Sequence, residues 1–386
     1  MSVSRRTFLT SLGAGGAGVI ALPLISARGR EALYAFQSST GRRADRAASK
    51  APGIVRIDSN ENPNGPGARV FEAMKGAFGE ANRYPFQYEE DLRDAIAKSH
   101  GIRAENVLLS AGSGELLRVT VQALTSRERA VVVASPTFET SANYAKFLGN
   151  AVRSVPVDKQ LRLDLGAMAD ASKGAGLVYF CNPNNPTATV HGKAAVADFI
   201  AAVNKSSPAT TILVDEAYHE YVDDPSYATA IPLAMQNPTV IVTRTMSKVF
   251  GMAGMRCGYA IGRPEALAKL SPWILDSGVN QLALAGAALA ITDKAHIAEE
   301  QKKNREAKAF TRKFFEGIGY QVGASDANFL MLDIKKDVAQ FKAKALARGV
   351  AVGRQFPPLN THLRISIGTM AEMQKATEAL KPLLVG

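Results

Sequence analysis

The stretch TVIVTRTMSKVFGMAGMRCGYAIG, residues 239–262, decides how the chain is read. It begins and ends on β-rich apolar runs, 239–245 and 257–262. Between them a small-residue, sulfur-rich segment carries Lys248 and Arg256. A lone lysine near a strand end is ordinarily a solvated surface residue, so the meaning of Lys248 depends on what the other strands carry at their ends.

Working outward, AVVVA (130–134), GLVYFC (176–181) and TILVD (211–215) repeat the strand character, with helical patterns over 89–100, 115–125, 138–148 and 191–203. Strands alternating with helices predict βαβ units and an α/β fold with a mainly parallel sheet covered on both faces. After Trp273 the pattern changes. A long charged helix at about 293–317 leads to NFLMLDI (328–334), a helix over 335–348, HLRISIG (362–368) and a last helix. This reads as a smaller α+β domain. The boundaries expected are a large domain over 81–279 and a small one from 54–80 together with 280–386.

In an open parallel sheet, ligands sit beyond the carboxyl ends of the strands. The run 176–181 is followed by NPNNPT (182–187), TILVD ends on the Asp215 of DEAYHEY (215–221), and 239–243 is followed by RTMSK, ending at Lys248. Ahead of these, SAGSGELL (110–117) places Gly112, Ser113 and Gly114 at a helix start, where free backbone N–H groups and the positive dipole end suit a phosphate. A lysine amine at one strand end, with an acid at a neighbouring one, can hold an aldehyde cofactor as a Schiff base. The acid then keeps a pyridine nitrogen protonated. Arg256 and the helix start would cradle the phosphate.

Six motifs fall in one order: NENPNGP (60–66), NRYPF (82–86), NPNNPT (182–187), VDEAYHEY (214–221), RTMSKVFGMAGMRCGY (244–259) and HLRISIGT (362–369). With them the chain resembles the class I/II aminotransferases of fold-type I, which depend on pyridoxal 5'-phosphate, and within those the histidinol-phosphate aminotransferase family. The resemblance runs from about Asp58 to the C-terminus. It implies that Lys248 is the covalent anchor and proton carrier and that Asp215 pairs with the pyridine nitrogen. Asn185 and Tyr218 would bond the ring's phenolic oxygen, with Phe138 stacked on the ring. Ser113, Gly114, Thr245, Ser247 and Arg256 would hold the phosphate, and Tyr84 would reach the phosphate of a partner subunit in a homodimer. Arg364 would grip the substrate's anionic group, helped by Arg354 and Asn328.

The chain departs from the family pattern at Ala188, where glycine is usual, and at Asn64, where histidinol-phosphate enzymes tend to have tyrosine near the substrate. The second departure implies weaker recognition of a phosphate ester and broader acceptance of free amino acids. The reaction implied is amino transfer from an amino acid or amine phosphate to a 2-oxo acid such as 2-oxoglutarate. A lyase on the same scaffold, resembling threonine-phosphate decarboxylase, would share every cofactor residue. A regulatory cofactor-binding protein of this fold would carry an added DNA-binding domain.

Composition narrows the rest. The net charge of +11 is concentrated at the start, where residues 1–56 hold nine Lys/Arg against Glu31 and Asp45. The remainder is unremarkable for an enzyme that handles anions, and no nucleic-acid motif accompanies it. Cys181 and Cys257 are expected as buried thiols, and five scattered histidines show no metal-ligand spacing. SRRTFL (4–9), followed by an uncharged segment to Ala27, resembles a twin-arginine export signal over 1–36, which implies the export machinery as a partner and a periplasmic location. Residues 37–53 read as a flexible linker.

Overall fold

The computed structural model describes residues 51–385. The expected leader over 1–36 and nearly all of the linker over 37–53 lie outside the described residues.

A seven-stranded sheet organises most of the chain. In sequence order its strands are β2 (Val107–Ser110), β3 (Val131–Ser135), β4 (Val152–Pro156), β5 (Leu177–Cys181), β6 (Thr211–Asp215), β7 (Val240–Thr245) and β8 (Gly258–Gly262). In space they run β2-β8-β7-β6-β5-β3-β4, and β8 alone is antiparallel to its neighbours. The central strands are buried along their whole length, as β5, β6 and β7 show. Side chains alternate faces along a strand, so each run serves two cores. Val178, Phe180, Ile212, Val214 and Val242 pack on one face, while Leu177, Tyr179, Leu213 and Ile241 pack on the other. This double burial is why these strands read as continuous apolar runs rather than alternating ones.

A third core gathers the rest. Here β9 (Phe329–Asp333) pairs antiparallel with β11 (His362–Ser366), while β1 (Val55–Ile57) pairs parallel with β10 (Val350–Val352). Helices Lys294–Gly317, Val338–Ala347 and Met370–Val385 cover them, burying Leu330, Leu332, Ile365 and Phe315.

The expected small-domain segment 54–80 is divided between cores. Val55 and Ile57 join the third, whereas helix Ala68–Ala77 packs on helix Gln281–Ala290 and sends Val70 and Met74 into the sheet core that holds Val178 and Phe180, together with Ala283 and Leu284. Expected strands and helices coincide with observed ones to within a few residues, but strands β1, β2, β4 and β10 are additional, as are helices Ala68–Ala77, Leu165–Ala171, Ile231–Gln236, Pro264–Leu267 and Gln281–Ala290. Three or four residues carry too little period to declare themselves, and β4 is an edge strand with only Val155 buried.

Candidate functional site

Three loops leave the ends of the parallel strands β5, β6 and β7 on the same side of the sheet, and they carry the candidate residues Asn185, Tyr218 and Lys248 beside Asp215. Asp215, the last residue of β6, stands opposite Cys181 of β5 and Thr243 of β7. Its carboxylate accepts from Tyr179 Oη at 2.8 Å and Thr243 Oγ1 at 3.3 Å. Burial pushes its pKa up to about 6, and these two donors hold it from rising further. Neither Tyr179 nor Thr243 was marked by the sequence, since both read as core positions of their strands.

Lys248 follows β7 by three residues. Its Nζ donates to Asn60 O at 2.9 Å and lies 5.4 Å from the centre of the Tyr218 ring. Burial, then the nearby Arg364 charge, lowers its pKa to about 8. The Tyr218 hydroxyl accepts from Asn185 Nδ2 at 3.2 Å and Asn60 Nδ2 at 3.1 Å. Arg364 Nη1 donates to Asn185 Oδ1 at 2.8 Å and Nη2 to Asp58 O at 2.7 Å. Its guanidinium faces the rings of Phe329 and Phe356 at 5.6 and 4.8 Å. Burial lowers its pKa to about 10, so it stays charged at neutral pH.

Asn60 joins these groups although its role was not singled out in the sequence. It is 1% exposed, sits at φ 55°, and bonds Ser366 through both its backbone N–H and its side chain. Its carbonyl also accepts from Asn328 Nδ2 at 3.2 Å. The available signal was its place at the head of the NENPNGP motif, where an asparagine tolerates the left-handed conformation.

The residues expected to cradle a phosphate assemble around Gly112, which precedes helix Ser113–Leu124 with φ 85°. No side chain caps this helix, so the first N–H groups, those of Ser113 and Gly114, are left for a ligand. A Cβ on Gly112 would overlap Arg256 Nη2, and one on Gly258 would overlap the Ser113 nitrogen, so only glycine allows this approach. Ser247 N and Oγ bond Thr245 Oγ1 at 3.1 and 2.9 Å, and Arg256 Nη1 reaches Ser247 Oγ at 3.5 Å. Arg256 itself adopts φ 58°, strain of about 1–3 kcal/mol for a non-glycine residue. An uncapped helix start, two hydroxyls and a strained arginine fit a phosphate, while buried Asp215 fits a protonated ring nitrogen. The side chains therefore suit pyridoxal phosphate.

Several other expected residues lie at the surface. Phe138 and Tyr84 are exposed, Tyr84 at 77%, stacked on Phe86. Arg354 pairs with Glu139 at 2.6 Å. Asn64 turns to Glu300, donating to Oε2 at 2.7 Å. Asn328 keeps a buried Oδ1 without a partner, and Arg364 a buried Nε. Ala188 is buried at φ 61°, a conformation glycine takes freely, so the substitution strains the turn. Cys181 and Cys257 are buried free thiols.

A profile of the family "Aminotransferase class I and II" matches residues 52–380. The chain is 36% identical over 334 residues to a histidinol-phosphate aminotransferase of Symbiobacterium thermophilum, which covers 86% of this chain and 91% of that protein. Against a histidinol-phosphate aminotransferase of Moorella thermoacetica it is 33% identical over 335 residues, 86% of each chain. The crystal structure of histidinol-phosphate aminotransferase from Sinorhizobium meliloti in complex with pyridoxal-5'-phosphate superposes with a TM-score of 0.80 at 27% identity, covering 88% of this chain and 95% of that one. By these likenesses the chain belongs to the class I and II aminotransferases and is a pyridoxal-phosphate-dependent transaminase.

Proposed function

We propose that this chain moves the amino group of an anionic donor, a free L-amino acid or an amine phosphate such as histidinol phosphate, to a 2-oxo acid such as 2-oxoglutarate. The observation that carries this reading is Arg364. It is 7% exposed, fixed by Asn185 and Asp58, and adjoins the Tyr218–Lys248 pair. A planar, permanently charged fork binds carboxylate and phosphate oxygens alike, so it selects an anion without naming it.

Pyridoxal phosphate supplies an aldehyde to take the amino group and a ring that withdraws electrons from the donor's α-carbon. The protein's part is placement and proton handling. Asp215 would hold the ring-nitrogen proton. Lys248 Nζ, with its pKa near 8, has free base available at neutral pH to lift the α-proton and return it. Asn185 bonds both Tyr218 and Arg364, so the groups that hold the ring oxygen and the donor anion share one side chain. Asn64, committed to Glu300, adds no contact of its own to a phosphate ester. This supports acceptance of free amino acids alongside histidinol phosphate.

A donor panel with 2-oxoglutarate tests the reading. Several L-amino acids should turn over within about a hundredfold of histidinol phosphate. Arg364→Ala should lower kcat/KM by roughly ten- to a hundredfold across anionic donors, the loss of a charged hydrogen bond. Exclusive use of histidinol phosphate would overturn the breadth. Carbon dioxide release without consumption of the 2-oxo acid would replace transfer by decarboxylation.

The leader SRRTFL supports export of the folded, loaded enzyme to the periplasm through the twin-arginine machinery, because a cofactor acquired inside crosses only with a folded chain. Exposed Tyr84 supports a homodimer in which it reaches the partner's cofactor phosphate. Cell fractionation and sedimentation mass decide these two points: activity confined to the cytoplasm, or a monomer, would refute them.

A further inference from the structure

Residues 60–66 cross the turn that carries Lys248 and touch it three times. Asn60 O accepts from Lys248 Nζ at 2.9 Å, and Asn62 Nδ2 donates to Val249 O at 2.9 Å. A Cβ on Gly251 would overlap the Gly65 carbonyl, so backbone meets backbone at the third point. Behind this segment stands Glu300, on helix Lys294–Gly317 and only 2% exposed. Its Oε2 accepts from Asn62 Nδ2 at 3.0 Å and from Asn64 Nδ2 at 2.7 Å, while Oε1 takes Lys303 Nζ at 2.9 Å. Burying a carboxylate costs free energy unless its oxygens are satisfied. Here two of the three donors come from the segment that touches Lys248.

We propose that Glu300 is a positioning residue for Lys248: by accepting from both Asn62 and Asn64 it clamps residues 60–66, so that Asn60 O stays aligned with the lysine amine. The clamp matters because Lys248 is the reactive amine of the transaminase, and it needs no particular donor. Both amides reach the same oxygen, so the clamp depends on an acceptor rather than on charge. Glu300→Gln can present its carbonyl to both asparagines, sacrificing only the contact to exposed Lys303. Glu300→Ala leaves Asn64 Nδ2 without its acceptor and Asn62 Nδ2 with Val249 O alone, which loosens the segment and admits water around Lys248.

The charged groups that bear on the Lys248 amine are Arg364 and Arg256, which disfavour its proton, and Glu61 and Asp215, which favour it. Burial outweighs all four, so loosening the clamp should let the titration midpoint climb from about 8 toward the ordinary 10.5. The test measures acylation of Lys248 in the cofactor-free protein against pH, read by peptide mass, beside kcat and donor KM of the loaded enzyme.

Glu300→Ala should raise the midpoint by about one unit. It should also lower kcat about tenfold, with KM within about twofold. Glu300→Gln and Lys303→Ala should stay near wild type in both. If Glu300→Ala fails to fold, Asn64→Ala decides: it should shift the midpoint upward by a smaller amount. An unmoved midpoint in the decisive variant, or Glu300→Gln as impaired as Glu300→Ala, overturns the proposal. Retained turnover in Lys248→Ala would instead overturn the role of the lysine, while the midpoints still reported the clamp.

Discussion

Asp215 and Arg364 are both buried and both expected to serve the same reaction, yet they are held in different ways. Asp215 closes β6, a strand buried at every residue between two equally buried parallel neighbours. Arg364 lies in the two-stranded pair β9 and β11, and its guanidinium is placed by side-chain and carbonyl contacts to Asn185 and Asp58. The half expected to hold the cofactor is thus fixed by sheet register. The half expected to bind the donor is fixed by hydrogen bonds reaching across from another core. Register cannot slip by one residue without turning every side chain to the opposite face. Side-chain contacts can be exchanged singly. The chemistry should therefore be intolerant of change, and the choice of donor adjustable.

The largest effect tests the intolerant half. Lys248→Ala should abolish turnover, by roughly 10⁴-fold or more, because it removes both the covalent anchor and the proton carrier. The visible absorbance of the loaded protein should vanish with it. A borohydride-reducible cofactor on another lysine in that variant would break the assignment.

Asp215→Asn comes next, with kcat lower by roughly a hundredfold, since an amide holds the ring-nitrogen proton poorly. The same residue makes a separate prediction about stability. Burial lifts its pKa from the ordinary 3.8 to about 6, so between those values the folded protein binds more protons than the unfolded chain. Stability of the cofactor-free protein therefore falls as pH rises through that window, by about 3 kcal/mol in all. Asp215→Asn should melt above wild type at pH 7 and level with it below pH 3.8. Equal melting at both would mean the carboxylate carries no desolvation cost.

The two halves were unequally legible in the sequence. Asp215, Lys248 and Asn185 follow apolar runs long enough to be recognised, and Gly112–Gly114 opens a recognisable helix, so their position at strand or helix ends could be derived before any resemblance was invoked. Tyr179 and Thr243 stayed hidden for the converse reason: each occupies an alternating site of a buried strand, and only register shows that both face Asp215. Asn60 and Glu300 stayed hidden because their contacts span 306 residues to Ser366 and 236 residues to Asn64. No local period encodes such a meeting. Asn64, expected beside the substrate, instead bonds Glu300, a carboxylate that the charged helix pattern gave no reason to place in the interior.

The smallest effect falls on Arg354 and sharpens the division most. Its guanidinium stacks on Phe356 at 4.1 Å, and Arg364 faces the same ring at 4.8 Å, so two cations share one aromatic surface. The resemblance made both arginines donor contacts, but their surroundings differ. Arg364 is buried and points inward, whereas Arg354 is exposed and paired with exposed Glu139 at 2.6 Å. An exposed pair of this kind is worth about 0–1 kcal/mol, which limits the change to roughly fivefold. Removing the Arg354 charge also relieves repulsion on Arg364, which opposes any loss of attraction for the donor. Arg354→Ala should accordingly raise donor KM by no more than about fivefold for free amino acids and leave kcat unchanged. A donor bearing a dianionic phosphate has charge to spare for a second cation, so its KM should rise further than that of a monocarboxylate. A hundredfold loss on every donor would place Arg354 beside Arg364 in the anion site, and the contrast between a fixed and an adjustable half would then have to be redrawn.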